Sequence, residues 1–430
     1  MPLPGGPLVC STMAYTNAFA KMNINQKTFC AAPWFSIRNE NRGEYRTCCA
    51  IDADKSEFKG QRVYNLTASP EAWLNSDYMK YLREQLTAGS QLPECSACWH
   101  KESHGLESLR LSTNNSVTDN QGSKIGQTWI ASYLKNKQDY KADLLIAADI
   151  KINNLCNYEC VMCNPADSSK IYAQWINANN EFVQDHVDRS PNYFQIIKDV
   201  YMDRDGEQLL HDVLLKPLKF LKILGGEPLL NQKVLNLLSS LPDTKKKSLS
   251  LCFITNGSVD LVKVVQQLGA YKHINFLLSL EAIGPMQEYV RKNSDWNQIS
   301  ANVDYFLNHV CKSNNQLSIE IHTVAQPLTA WHYPELKQWA DIRNLHITTT
   351  ILQHPEYLSF TVLPESVAEQ IVDQLEKIPT ADLIAPAIIN EIKNRQFDPE
   401  MFEKFCRYIK WFDPSLKLLS YSPIWKRVMP

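Results

Sequence analysis

From about residue 144 the chain alternates short apolar or β-branched runs with stretches whose apolar residues return every three or four positions. The strand-like runs are LLIAADIKI (144–152), KFLKIL (219–224), LSLCFIT (249–255), INFLLSL (274–280), LSIEIHTV (317–324) and LHITTTI (345–351). Between them, QKVLNLLSSL, VDLVKVVQQLGA and YPELKQWADIRN carry the period of amphipathic helices. Six such units predict an α/β fold, a partial (β/α)6 TIM-like barrel over residues 140–355. In that architecture chemistry gathers at the C-terminal ends of the strands.

The flanks follow other patterns. FCAAPWFSIRNENRGEYRTCC predicts a hairpin around 41–43. A helix from Asp77 to Ala88 follows, capped by Ser76 and ended by Gly89, with Tyr78, Leu82 and Leu86 on one face. After it comes PECSACWHKE, so residues 22–130 read as a small cysteine-rich domain, from which the polar stretch 106–143 leads toward the barrel. Residues 1–21 show no periodicity and read as a loose leader. Over 356–430, PESVAEQIVDQLEKI and PEMFEKFCRYIKWFD predict a C-terminal helical extension.

Charge narrows the partners. Lys+Arg number 44 against Asp+Glu 46, which points to neither nucleic acid nor a membrane surface. No apolar run reaches the ~20 residues of a membrane span, and the N-terminus lacks the pattern of a signal peptide, so the expected location is cytoplasmic. In a reducing compartment, twelve cysteines are not a disulfide framework, and their clustering argues for metal.

The densest cluster is NNLCNYECVMCNP, where Cys156, Cys160 and Cys163 form C-x3-C-x2-C directly after the first strand. Zinc would need a fourth Cys or His close by, and no histidine lies between His104 and His186. Three thiolates suit a cubane 4Fe-4S cluster with one iron left open. Directly after the second strand comes Gly225-Gly226-Glu227-Pro228, which alone would be only a tight turn.

Together, the cysteine loop and GGEP resemble the radical S-adenosylmethionine (SAM) superfamily. That resemblance implies that the open iron chelates the amino and carboxylate groups of SAM. It also implies that Gly225, Gly226, Glu227 and Pro228 meet the SAM amino group, the glycines by close backbone approach and Glu227 as an acceptor. Asn256, in TNG after the third strand, and Ser279 and Glu281, in SLEAIG after the fourth, fall where ribose is held, and Arg291 would pair with the SAM carboxylate. Met162 stands where the family often has an aromatic residue against adenine, and a thioether makes a similar soft contact. Val324 would line the other adenine side.

A second cysteine set comprises Cys30, Cys48, Cys49, Cys95 and Cys98. By spacing it is as consistent with structural zinc as with iron-sulfur. Its C-x12-G-x4-C stretch resembles the twitch or SPASM auxiliary-cluster domains of radical SAM enzymes, here N-terminal to the barrel. The resemblance implies Cys30, Cys48, Cys95 and Cys98 as ligands, with Cys49 the alternate.

The activity implied is one-electron cleavage of SAM and hydrogen abstraction by a 5'-deoxyadenosyl radical, with flavodoxin or ferredoxin as electron donor. Auxiliary-cluster relatives favour a peptide or protein side chain as substrate; a sugar, nucleotide or lipid precursor is the alternative. A third reading is a non-catalytic iron-sulfur or zinc protein. Tyr158, Glu159, His322 and Gln326 fall near the expected mouth, and none is assigned as acid or base.

Overall fold

A computed structural model describes residues 27–40, 44–52, 55–58, 69–118, 132–133, 135–189, 192–201, 206–311, 314–379 and 381–429. The leader 1–21 and the turn at 41–43 lie outside the described residues. The chain divides into two compact units. One comprises the residues to Arg38 with Tyr45–Ser103 and Glu107–Ala147; the other is Ala148–Pro430 with Asn39–Glu44 and His104–Leu106.

Strands β1 (Ser36–Glu40) and β2 (Glu44–Arg46) are hydrogen-bonded neighbours on either side of 41–43. In the first unit, the helix Asp77–Ala88 forms where its pattern places it: the Ser76 side chain accepts from the Met79 N–H, and Gly89 is the C-cap. Its buried face of Tyr78, Met79, Leu82 and Leu86 also carries Arg83. That guanidinium gives its donors to the carbonyls of Pro33, Leu74 and Tyr140 and lies over the Trp34 ring. Burial without a carboxylate brings the Arg83 pKa down to about 9. Phe29, Trp34, Phe35, Tyr133 and Ile146 form the adjoining core.

The polar stretch beginning at 106 is more than a connection. Leu109–Thr118 is a helix whose Asn114 donates to the Phe29 carbonyl and accepts from the Ala31 N–H, both at 2.9 Å. At Asn114, polarity marks a partner for buried backbone rather than exposure.

In the second unit, β3 (Ala147–Lys151), β5 (Phe220–Leu224), β6 (Ser250–Thr255), β7 (His273–Ser279), β9 (Leu317–Ala325) and β10 (Ile347–Ile351) match the six predicted runs. They lie in the order β10-β9-β7-β6-β5-β3, and pairing is parallel from β5 through β10. The helices Gln232–Ser239, Leu261–Leu268 and Tyr333–Ile342 fall between them as the periodicity requires. The fold is thus α/β, with the β/α units of a partial barrel and a C-terminal helical extension.

Burial alternates strictly along β7 and β9. On the buried face, Phe276 stacks on Phe253 and meets Phe306 edge-on at 5.4 Å. The half-buried face carries Asn275 and Ser279 from β7, and Ser318, Glu320, His322 and Val324 from β9. Two short strands, β4 (Glu159–Cys160) and β8 (Arg291–Lys292), pair separately and antiparallel.

Four helices between β3 and β5 were not predicted: Ser169–Trp175, Glu181–Arg189, Tyr193–Tyr201 and Gly206–Leu214. The C-terminal extension contains Glu365–Leu375, Ile384–Asn394, Pro399–Phe412 and Leu418–Tyr421. Among the described residues no helix is long and apolar enough to cross a membrane.

Candidate functional site

The chain leaves β3 into the three-cysteine loop, which is held by its own polar residues. Asn153 accepts from the Leu155 N–H at 3.0 Å, and Asn154 donates to the Pro165 carbonyl at 3.0 Å. The Ser168 hydroxyl donates to the Tyr158 carbonyl, and Ser169 Oγ accepts from the Cys156 N–H. This brings Cys156, Cys160 and Cys163 into one cluster with Tyr158 and Met162. Met162 packs against these cysteines, and Cys156 and Cys160 are buried.

The loop is clipped from the opposite side by β8. Cys160 pairs with Arg291 and Glu159 with Lys292 in antiparallel register, and the Val161 N–H donates to the Val290 carbonyl at 2.9 Å. The Glu159 carboxylate is occupied by Lys292 at 2.9 Å and Asn293 at 3.1 Å. Register therefore sets the Arg291 side chain beside Cys160, with Nη1 3.6 Å from Sγ.

The remaining donors of Arg291 go to Glu281. The sequence reading sends Arg291 to a SAM carboxylate and Glu281 to a ribose hydroxyl; in the structure they hold each other. Nε lies 2.5 Å and Nη2 2.8 Å from the two Glu281 oxygens, and the Glu281 side chain is fully buried. Arg291 supplies this buried carboxylate with a charged, two-point partner. Burial works against the Arg291 charge, but Glu281 and then Cys160 outweigh it and hold the pKa well above its ordinary value. The Cys160 pKa is lowered, first by the Cys163 hydrogen bond and, against burial, by Arg291.

GGEP follows β5 and packs against the cysteine loop. Gly225 and Gly226 take φ of +101° and +51°, and the backbone they approach is the cysteine loop itself. A methyl on Gly226 would lie 2.0 Å from the Leu155 carbonyl oxygen, and one on Gly225 2.5 Å from that of Asn153. The Glu227 N–H donates to the Leu155 carbonyl at 2.7 Å. Pro228, buried, opens the short 3-10 turn that follows.

The Glu227 carboxylate, expected as an acceptor for ammonium, is already engaged. It accepts from the Leu229 N–H, the Thr255 hydroxyl and, at 2.6 Å, the Asn256 N–H. Burial raises its pKa to about 7, with these donors pulling the other way. Asn256 also donates to Asn157 Oδ1 at 2.9 Å, so β6 is tied both to GGEP and to the cysteine loop. Three donors on four lone pairs leave one acceptor site on Glu227 Oε2, beside the backbone carbonyls of GGEP.

Ser279 ends β7 in register with His322 of β9, and Val324 is in register with Thr350 of β10. All four lie on the face that is not fully buried. The Thr348 hydroxyl donates to the Ile321 carbonyl, so it accepts from His322 Nδ1 at 2.9 Å. Gln326, just past β9, is fully buried with neither amide atom hydrogen-bonded. Tyr158 is buried within the cysteine loop.

One contributor had no signal in the sequence. In the C-terminal helix Pro399–Phe412, fully buried Tyr408 donates to the Val161 carbonyl at 2.7 Å, inside the cysteine loop. The same helix is anchored by Arg407 to Glu181 at 2.7 and 2.9 Å and by Lys404 to Asp185. The period of PEMFEKFCRYIKWF marks a buried face but not what it covers.

Within the first unit, Cys30, Cys48, Cys95 and Cys98 lie within electrostatic reach of one another, with exposed Cys49 beside Cys48. Burial pushes the Cys30 thiol up to about 12, reinforced by Cys98, and burial likewise raises Cys48, Cys95 and Cys98. A buried arginine stands here too. Arg110 binds Glu102 at 3.0 and 2.6 Å and donates to the Phe29 carbonyl, and its backbone N–H donates to the Cys98 sulfur.

No family model matches the chain, and no curated protein matches it. Among solved structures, Streptococcus suis SuiB bound to S-adenosylmethionine is similar over 66% of this chain and 59% of that one, with 15% identity and a TM-score of 0.35. SuiB bound to its precursor peptide SuiA matches over 70% of this chain and 63% of that one, at 15% identity and a TM-score of 0.36. The structure of native anSMEcpe with bound AdoMet and Cp18Cys peptide matches over 54% and 59%, at 14% identity and 0.32. The chain therefore spans about three fifths of the length of the first of these structures, and likenesses this slight leave its activity to be argued from its own residues.

Proposed function

We propose that the chain is a radical SAM enzyme that acts on a peptide or protein side chain. The observation that carries this reading is the donor set after β3: three thiols gathered in one loop, 153–165, whose sequence holds no fourth cysteine and no histidine. The nearby carboxylates Glu227 and Glu281 are already hydrogen-bonded to their own partners. Such a set fits a 4Fe-4S cluster with one iron open better than it fits a structural zinc, which takes four protein ligands. When bound, the cluster and SAM supply one-electron cleavage of the sulfonium and a 5'-deoxyadenosyl radical that takes hydrogen from the substrate.

The residues then divide the work. Cys156, Cys160 and Cys163 hold the cluster, and Gly225 and Gly226 bring GGEP against the loop so that backbone carbonyls face a SAM ammonium. Asn256, Ser279, Met162 and Val324 are the proposed contacts to ribose and adenine. Cys30, Cys48, Cys95 and Cys98 hold an auxiliary iron-sulfur cluster, with Cys49 the alternate fourth thiol and zinc the alternative metal. That N-terminal cysteine set is what favours a peptide or protein substrate over a small molecule. A flavodoxin or ferredoxin is the proposed electron donor, and the cytoplasm the proposed location.

The test is anaerobic reconstitution with iron and sulfide, followed by SAM and dithionite. The reading expects 5'-deoxyadenosine from the native chain and none from a variant with Cys156, Cys160 and Cys163 changed to Ala.

A further inference from the structure

We propose that Arg291 sets the reduction potential of the iron-sulfur cluster held by Cys156, Cys160 and Cys163, through an N–H···S contact to Cys160 that Glu281 orients. The inference rests on the reading of the loop as a cluster site, and it assigns Arg291 a positioning role toward the cluster in place of a contact to SAM.

The geometry leaves the guanidinium little else to do. Two of its nitrogens are spent on Glu281, and the third, Nη1, lies 3.6 Å from Cys160 Sγ. The antiparallel pairing of Cys160 with Arg291 fixes the approach from the backbone, so the contact does not depend on a freely swinging side chain. Glu281 is fixed in turn, because its own N–H and that of Ala282 both donate to the buried Gln287 side chain, at 3.1 Å each. A planar fork held on two sides presents its remaining edge in one direction, which a lysine ammonium cannot do.

The chemistry follows from charge. The oxidised cluster plus one electron gives the reduced cluster, with no bond made or broken, and the added negative charge is shared with the thiolate sulfurs. A buried N–H donor on one of those sulfurs stabilises the reduced form more than the oxidised form, and hydrogen bonds to sulfur are a recognised control of cluster potential. Glu281 cancels much of the arginine's net charge and leaves an oriented N–H. The expected effect is therefore about tenfold in the reduction equilibrium, or about 59 mV for one electron.

The test compares reconstituted native protein with the double variant Arg291→Met, Glu281→Gln, which removes both charges together. The readout is the fraction of reduced cluster by electron paramagnetic resonance at a series of dithionite-poised potentials. The signal of this cluster is identified as the one that changes when SAM is added. The expected result is unchanged iron and sulfide content with a midpoint moved to more negative potential by about tenfold in equilibrium; an intact cluster with an unmoved midpoint overturns the inference and leaves the enzyme reading standing.

A second measurement needs no variant. Native protein carrying arginine labelled with 15N in the guanidinium alone is expected to show 15N hyperfine coupling in the SAM-responsive signal, and its absence overturns the inference even where the double variant fails to load iron. A native chain that takes up no iron and sulfide in this loop overturns both readings at once.

Discussion

Gly226 sits closest to the decision between a working loop and a broken one. Its φ of +51° and the 2.0 Å that a Cβ would leave to the Leu155 carbonyl mean that even alanine forces two backbone segments apart. Gly226→Ala is expected to destabilise the apoprotein by roughly 3 kcal/mol and to lower iron uptake by the cysteine loop. Urea unfolding and iron analysis check the two effects.

Glu227 adds a pH dependence whose sign can be worked out. Burial raises its pKa to about 7, above the ordinary glutamate value of 4.5, so between those limits the folded chain holds a proton that the unfolded chain has lost. Stability is therefore highest below that window and falls as pH rises through it, by roughly 3 kcal/mol for this group. Urea unfolding at pH 5 and pH 7.5 is expected to show this slope in the native chain and a flatter one in Glu227→Gln.

At the scale of elements, the cysteine loop is held by neighbours far apart in sequence: GGEP, the short strand Arg291–Lys292 and the helix Pro399–Phe412. Tyr408→Phe removes the donor to the Val161 carbonyl. It is expected to cost roughly 1 to 2 kcal/mol and to speed cluster loss to a chelator, followed by the decay of visible absorbance.

What could be read in advance follows the same division. Each long strand and the helix Asp77–Ala88 announced themselves through local period and caps. The strand Arg291–Lys292 could not, because two residues have no period and exist as a strand only through their pairing with Glu159–Cys160. Motif positions placed Glu281 and Arg291 near the site, but their mutual ion pair belongs to tertiary structure. The glycines were read as room for a ligand, and they also provide room for the loop itself.

At the scale of the whole molecule, each of the two cysteine sets stands beside an arginine-glutamate pair, Arg291 with Glu281 and Arg110 with Glu102. If both sets hold 4Fe-4S clusters, the reconstituted chain contains about eight irons, whereas zinc in the N-terminal set leaves about four. Changing Cys95 and Cys98 together to Ala is expected to remove about four irons in the first case and none in the second, as metal analysis would show.

The most direct measurement of the central claim remains the formation of 5'-deoxyadenosine. Reconstituted without oxygen and given SAM and dithionite, the native chain is expected to release it, and the chain lacking Cys156, Cys160 and Cys163 is expected to release none. A native chain that holds its iron and sulfide yet releases no 5'-deoxyadenosine, or a triple variant that still does, would contradict the account.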